Sequence, residues 1–242
     1  MITLPPNFNK LISFCDGSKF SSGEVFHFAG DAGPVVLRDF LRTLVTGKKV
    51  LHIGACDHIS LIDSKVKTDS LIHNYLTSIT SLCYGIDINE EAINLLKLYG
   101  IDNIFNLDIT RGILPNIIKN NDWDYLLLLD VLEHIPNPIF FLENVKQRLS
   151  KNSSKIIITV PNAFFIGNFF LTFLSKECIN TDHYFWFTPY TLAKVCVKAG
   201  LNPLKFFFLQ RNGLPSRRFF IKRTIINQFH LFRDTLALEC DF

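Results

Sequence analysis

Glycine is scarce where this chain has most use for it. In VLHIGACDH (residues 50–58) a strand-like apolar run enters a turn at Gly54, and no other glycine follows in the stretch. A loop that cradles a pyrophosphate usually carries two or three, so NAD and FAD are poor fits. Paired cysteines are also missing. Cys15, Cys56, Cys83, Cys178, Cys196 and Cys240 are scattered without a C-x-x-C pair, which argues against a zinc or disulfide framework and suits reduced thiols in a cytoplasmic protein. The opening MITLPPNFNK has no basic segment followed by an apolar core, so no secretory signal is expected. Acidic residues are absent from 184–233, which hold nine basic residues, while the rest of the chain has 16 basic against 22 acidic. That asymmetry points to an anionic partner at the basic end, or simply to a solvated face.

What is present reads as alternating strand and helix. Apolar runs at 49–53, 81–87, 103–108, 124–130, 155–160, 202–210 and 234–242 are strand candidates. DYLLLLD (124–130) is apolar on both faces, as a central parallel strand should be. Residues 33–47 form an amphipathic pattern closed by Gly47. Asn89 caps a helix with Ala92, Leu95, Leu96 and Tyr99 on one face, ended by Gly100. Asn137-Pro138 opens another, with Phe141, Leu142, Val145 and Leu149 inward, and Thr188-Pro189 a third. The most apolar run, 156–174, is interrupted by Pro161, Asn162 and Asn168, so a buried strand plus loop is expected there rather than a transmembrane segment. The alternation predicts an α/β, doubly wound sheet. The expected division is an N-terminal extension 1–32 and one domain 33–242, with 211–233 inserted before the last strand.

Ligands of such sheets lie at the carboxyl ends of the strands. Those ends carry Gly54, Asp87, Asp108 and Asp130. Each aspartate alone is readily explained as a helix cap; the three together suit a nucleoside. Asp87 is placed to accept hydrogen bonds from two ribose hydroxyls, and Asp108 from an adenine amino group, with Leu107 and Ile109 against the ring. A cofactor with a cationic centre and no phosphate tolerates a glycine-poor loop and favours a nearby carboxylate such as Asp57.

Together these segments resemble the class I S-adenosylmethionine-dependent methyltransferases. VLHIGACDH stands where that family has its glycine-rich first motif, GIDINEEAI resembles its ribose-binding second motif, and FNLDI its adenine-binding third. DYLLLLDVLEHIPNP resembles the fourth-strand segment of the small-molecule branch, and HYFWFTPYTLAKVCVKAGL its later helix entry; the resemblance covers about residues 33–210. It implies a Rossmann-like sheet of seven strands, mostly parallel with an antiparallel last strand. It also implies S-adenosyl-L-methionine as cofactor, held by Gly54, Ala55, Asp57, Asp87, Ile88, Asp108, Ile109 and Asp130. The chain departs from the family at His52, where an acidic residue is common, and at Cys56 and His58, where glycines are. Extra sequence at 57–75 is expected to form a lid or substrate loop.

Methyl transfer to oxygen needs the acceptor's proton removed, and His134 in DVLEH is the candidate base. The alternative is that His134 only orients the loop after Asp130, and the residues leave both open. Asp130, Glu133, His134 and His183 also resemble the carboxylate and histidine set that holds a divalent metal in small-RNA 2′-O enzymes; the expectation is nevertheless no metal. The expected partner is a small anionic acceptor, phosphorylated or nucleotide-linked and sugar-like. RNA is the alternative acceptor, because 216–233 mixes basic and aromatic residues that suit RNA, a phosphate or a membrane surface. A cofactor-fold binding protein without activity is the remaining alternative.

Overall fold

The computed structural model describes residues 8–28, 35–213 and 220–242. All seven expected strands form within them, every boundary within two residues of its expected place. They are β1 (Lys49–Ile53), β2 (Leu82–Asp87), β3 (Ile104–Asn106), β4 (Trp123–Leu129), β5 (Ser153–Pro161), β6 (Asn202–Leu209) and β7 (Thr235–Asp241). They make one sheet in the order β3-β2-β1-β4-β5-β7-β6. Strands β1 to β5 are mutually parallel, whereas β7 lies antiparallel between β5 and β6. The chain winds outward from β1 to β3, then crosses to β4 on the other side. The reversal opens a crevice at the carboxyl ends of β1 and β4.

Pleating sends alternate side chains of the central strands to opposite faces, and both faces are covered. Leu126, Leu128, Ile156 and Ile158 join one core cluster, while Val50, Leu127 and Ile157 join another. The first is covered by α7 (Pro138–Leu149) and α9 (Pro189–Lys198), the second by α2 (Leu37–Val45) and α4 (Ile72–Ile79). The inward residues foreseen for α7, Phe141, Leu142, Val145 and Leu149, are all buried. Each such burial is worth about 1.5–3 kcal/mol. Asn137 caps α7 by accepting from the Phe140 amide, and Thr188 and Thr191 form a reciprocal capping box on α9. From the N-terminal region, α1 (Phe8–Cys15) packs on α9 and contributes Leu11 and Cys15 to the main core.

Four expectations are corrected. Residues 57–75 are helical and not a loop: they build α3 (Ile59–Lys67) and the first half of α4, because Ile62, Leu71 and Tyr75 are buried. Ile62 and Leu71 pack with Ala92, Ile93 and Leu96 of α5 (Glu90–Leu98). Tyr99, placed on the inward face of α5, is 41% exposed, since Ile93 fills that face instead. The stretch after β5 is not a plain loop; it contains α8 (Ile166–Phe173), which buries Ile166 alone. Finally, α2 begins at Leu37, because Val36 is extended in a bridge with Gln210; residues 33 and 34 lie outside the described residues.

Candidate functional site

A cavity of about 600 Å³ occupies the crevice, walled by the ends of β1, β2, β4 and β5. Gly54 shapes its floor. Its φ of +73° lies in the left-handed region, and an added Cβ would sit 2.5 Å from Val131 Cγ2. The Gly54 and Ala55 amides both donate to the Ile86 carbonyl, at 2.9 and 3.2 Å. Gly85 lets β2 pass beneath the loop, since a Cβ there would lie 2.7 Å from Ala55 Cβ and 2.9 Å from His73 Cε1. The loop therefore needs a single positive-φ glycine plus Gly85 below it, not a run of glycines.

Asp87 ends β2 at the cavity wall. Its Oδ2 accepts from the Cys56 amide (2.8 Å) and its Oδ1 from the Asn89 amide (2.9 Å), so one carboxylate ties the β1 loop to the start of α5. Ile88 beside it is 73% exposed and offers an apolar wall. Asp57 also lines the cavity, paired with Lys65 of α3. Asp130 has φ +56°; its amide donates to the Thr159 carbonyl (3.0 Å) and its carboxylate pairs with Arg211. Gly54, Ala55, Asp57, Asp87, Ile88 and Asp130 thus meet around one space. Asp108 and Ile109 do not line it. Asp108 accepts from the Thr110 hydroxyl (2.6 Å) and pairs with Arg111 (2.9 Å), and the Thr110 hydrogen bond foremost holds its carboxyl below the usual range. Ile109 is buried in the core.

The opposite end is built from distant segments. Leu132–His134 form a 3₁₀ turn after β4, and His183 arrives from the segment after β5, fixed by the Tyr184 amide donating to the Glu133 carbonyl (2.7 Å). Glu133, His134 and His183 offer ligand atoms all within 4.8 Å of one another. Glu133 is fully buried with no partner on either carboxylate oxygen, and burial raises its pKa to about 8. His183 Nδ1 is likewise buried and unpartnered. His134 Nδ1 lies 3.2 Å from the Asp182 carbonyl, and burial lowers its pKa, as it does for His183.

Three lining residues escaped the sequence reading. His52 and His73, 3% and 1% exposed, face each other Nδ1 to Nδ1 at 3.2 Å, and both Nε2 atoms lack partners. Burial drives His52 well below its ordinary pKa and His73 to about 4, so both are neutral. His52 stood out only as a departure from the family motif, and nothing in the sequence ties it to position 73. Arg211 was one more cation of the basic stretch; its amide donates to Asp234 (2.8 Å), and this brings the guanidinium to Asp130.

The comparisons agree with this architecture. Residues 34–205 match the family described as a methyltransferase domain. No curated protein matches the sequence. Among solved structures, an S-adenosylmethionine-dependent methyltransferase from Mesorhizobium loti is 12% identical with a TM-score of 0.52, over 84% of this chain and 96% of that one. The small-RNA methyltransferase HEN1 is 16% identical with a TM-score of 0.51, over 92% of this chain and 27% of that one. A structure of the Haloferax volcanii Trm112 methyltransferase activator in complex with a methyltransferase gives 14% identity and a TM-score of 0.51, over 84% and 87%. Since the family match spans well over half the sequence, this chain belongs to the methyltransferase-domain family and is an S-adenosylmethionine-dependent methyltransferase.

Proposed function

We propose that the enzyme methylates an oxygen of a small anionic or nucleotide-linked, sugar-like acceptor, with His134 as the general base. One observation carries the base assignment: a carbonyl oxygen only accepts, so the 3.2 Å approach to Asp182 places the hydrogen on His134 Nδ1 and leaves a lone pair on Nε2. The lowered pKa keeps that ring neutral near pH 7. The anionic character of the acceptor is read from Arg211, which reaches the cavity from the acid-free stretch.

The residues present fit the cofactor. The space over Gly54 would be lost to any side chain there, and Asp87 stands beside it with an exposed apolar neighbour, Ile88. Asp87 would take the ribose hydroxyls, Gly54, Ala55 and Ile88 would pack along the nucleoside, and Asp57 and Asp130 would place negative charge near the sulfonium. Asp108 and Ile109, one strand further out, would take the adenine edge if Arg111 swings away from Asp108. Once bound, S-adenosylmethionine supplies a methyl group on a good leaving group, so alignment is the protein's main task, contributing about 7–11 kcal/mol. Under this reading 33–242 is the catalytic domain, 1–32 an extension and 211–233 an insertion.

A second reading rests on Glu133. A buried carboxylate without partners is costly, and a divalent cation held by Glu133, His134 and His183 would satisfy it. It reverses the expectation of no metal, makes His134 a ligand instead of a base, and gives RNA, the substrate class named for HEN1, as acceptor. The test incubates the purified protein with S-adenosylmethionine and either a metabolite extract or short RNA, with and without chelator, and reads mass gains of one methylene. Chelator-insensitive methylation of a small molecule supports the first reading. Chelator-sensitive, steeply salt-dependent RNA methylation supports the second and overturns the first.

A further inference from the structure

Asp130 stands where the two ends of the cavity meet. Its neighbour Val131 lies over Gly54, whose added Cβ would come within 2.5 Å of Val131 Cγ2, and the turn Leu132–His134 follows directly. A methyl group passing from a donor over Gly54 to an oxygen beside His134 therefore passes Asp130. The carboxylate is mostly buried and both of its oxygens are engaged: the Thr159 hydroxyl donates to Oδ1 (3.1 Å) and Arg211 pairs with Oδ2. The Asp130 amide also donates to the Thr159 carbonyl (3.0 Å), which helps to hold the aspartate at its φ of +56°.

Arg211 reaches this carboxylate from the start of the β6–β7 connection. Its backbone is anchored, because its amide donates to Asp234 Oδ1 (2.8 Å), the Gln210 side-chain amide donates to Asp234 Oδ2, and Gln210 bridges Val36. Movement is thus left to the long side chain, which is 39% exposed and lines the cavity. Lys65, which also lines it, is held by Asp57 at the β1 loop. Residues 216–219 of the basic aromatic stretch, further along the connection, lie outside the described residues.

We propose that Asp130 is shared between Arg211 and the positive charge of the methyl donor, so that a charged donor releases Arg211 to the acceptor's anion and Arg211 returns once that charge is spent. The acceptor's anion is taken from the function proposed above; the sharing of Asp130 stands apart from it. Removing one partner from a desolvated ion pair leaves a costly lone charge, so Asp130 and Arg211 hold each other before a ligand enters. Beside a sulfonium, Asp130 has a second cation to pair with, and Arg211 meets one positive charge and the acceptor's negative one. During transfer His134 Nε2 takes the acceptor's hydroxyl proton as the C–O bond forms and the C–S bond breaks, with the C–S electron pair staying on sulfur. Asp130 then faces a neutral thioether, reclaims Arg211 and leaves the product's anion unpaired. Such coupling is reciprocal: an anion on Arg211 must tighten a charged donor by the same factor as the charged donor tightens the anion.

Titration calorimetry on the purified full chain reads the sharing as the ratio of S-adenosylmethionine to S-adenosylhomocysteine affinity, since the two ligands differ by the methyl group and its positive charge. Arg211→Gln, which leaves Asp130 to the sulfonium alone, should raise this ratio by at least about tenfold. Asp130→Asn keeps a residue tolerant of positive φ and leaves Arg211 facing the sulfonium, so it should lower the ratio by at least about tenfold. The double variant removes both charges and should fall between them; where a single variant fails to fold on its lone buried charge, the other is compared with the double and with wild type. Wild type alone gives a second readout. Millimolar inorganic phosphate at constant ionic strength, standing for the acceptor's anion, should tighten S-adenosylmethionine about tenfold and S-adenosylhomocysteine less than about twofold. A ratio unmoved by either substitution, shifts of the same sign, or phosphate that tightens both ligands alike would overturn the proposal. Opposite shifts with no phosphate effect would uphold the shared Asp130 and remove the anionic acceptor instead.

Discussion

The two ends of the cavity are constructed by opposite means. At the β1–β2 end the loop's polar groups are engaged with one another: Asp87 holds two amides, Asp57 holds Lys65, and the Gly54 and Ala55 amides share the Ile86 carbonyl, while the buried Nε2 atoms of His52 and His73 behind the loop lack partners. At the β4 end Glu133 and His183 keep buried polar atoms without partners. Buried unpaired groups are costly and persist where a ligand or a reaction uses them. The loop of the first end is held by its own hydrogen bonds. The second holds chemistry in reserve. Under the proposed function the donor takes the first end and the acceptor the second.

Substitutions at each end should therefore fail differently. His134→Ala is expected to lower turnover by about 10²–10⁴-fold with S-adenosylhomocysteine affinity within about twofold of wild type; single-turnover kinetics beside calorimetry checks both. A comparable loss of affinity would erase the division between the ends. Gly54→Ala should do the reverse in kind, weakening S-adenosylhomocysteine binding and lowering stability by about 2–4 kcal/mol in denaturant melts, since φ +73° and the Val131 contact both oppose a Cβ.

The buried histidine pair behind the loop predicts a pH effect. Unfolded histidine protonates near pH 6.5 whereas His73 resists until about 4. Folding stability is then full above pH 6.5 and falls as the pH drops toward 4, by about 3 kcal/mol for His73. His52, shifted in the same direction, adds to the loss. Urea melts at pH 7.5 and 4.5 measure it, and His73→Gln should flatten the dependence. The smallest effect is expected at Asp108. Its carboxylate is engaged by Thr110 and Arg111 away from the cavity, so Asp108→Ala should weaken cofactor binding by only about threefold. A loss matching that of Asp87 would extend the receptor to β3.

Much of this was readable in the sequence, for local reasons. The strands announce themselves because Leu126–Leu128 and Ile156–Ile158 bury both faces, and Asn89, Asn137 and Thr188 cap their helices with side chains a few residues away. Asp87 is visible because it ends a strand. What stayed hidden depends on long-range packing. The helices of 57–75 were masked by weak periodicity and settled by burial of Ile62 and Leu71 against α5. The pairing of His52 with His73, and of Arg211 with Asp130, joins residues that only the crossover connections bring together. Likewise, 156–174 showed its apolarity but not that the half after Pro161 faces outward.

Calorimetric titration of S-adenosylhomocysteine into wild type and Asp87→Ala, with matched thermal melts, tests the receptor most directly. The account predicts one site per chain in wild type and at least about tenfold weaker binding in the variant, which still unfolds cooperatively but at a lower temperature because the Cys56 and Asn89 amides lose their acceptor. Equal affinities in the two proteins, or no heat from wild type at millimolar ligand, would contradict it.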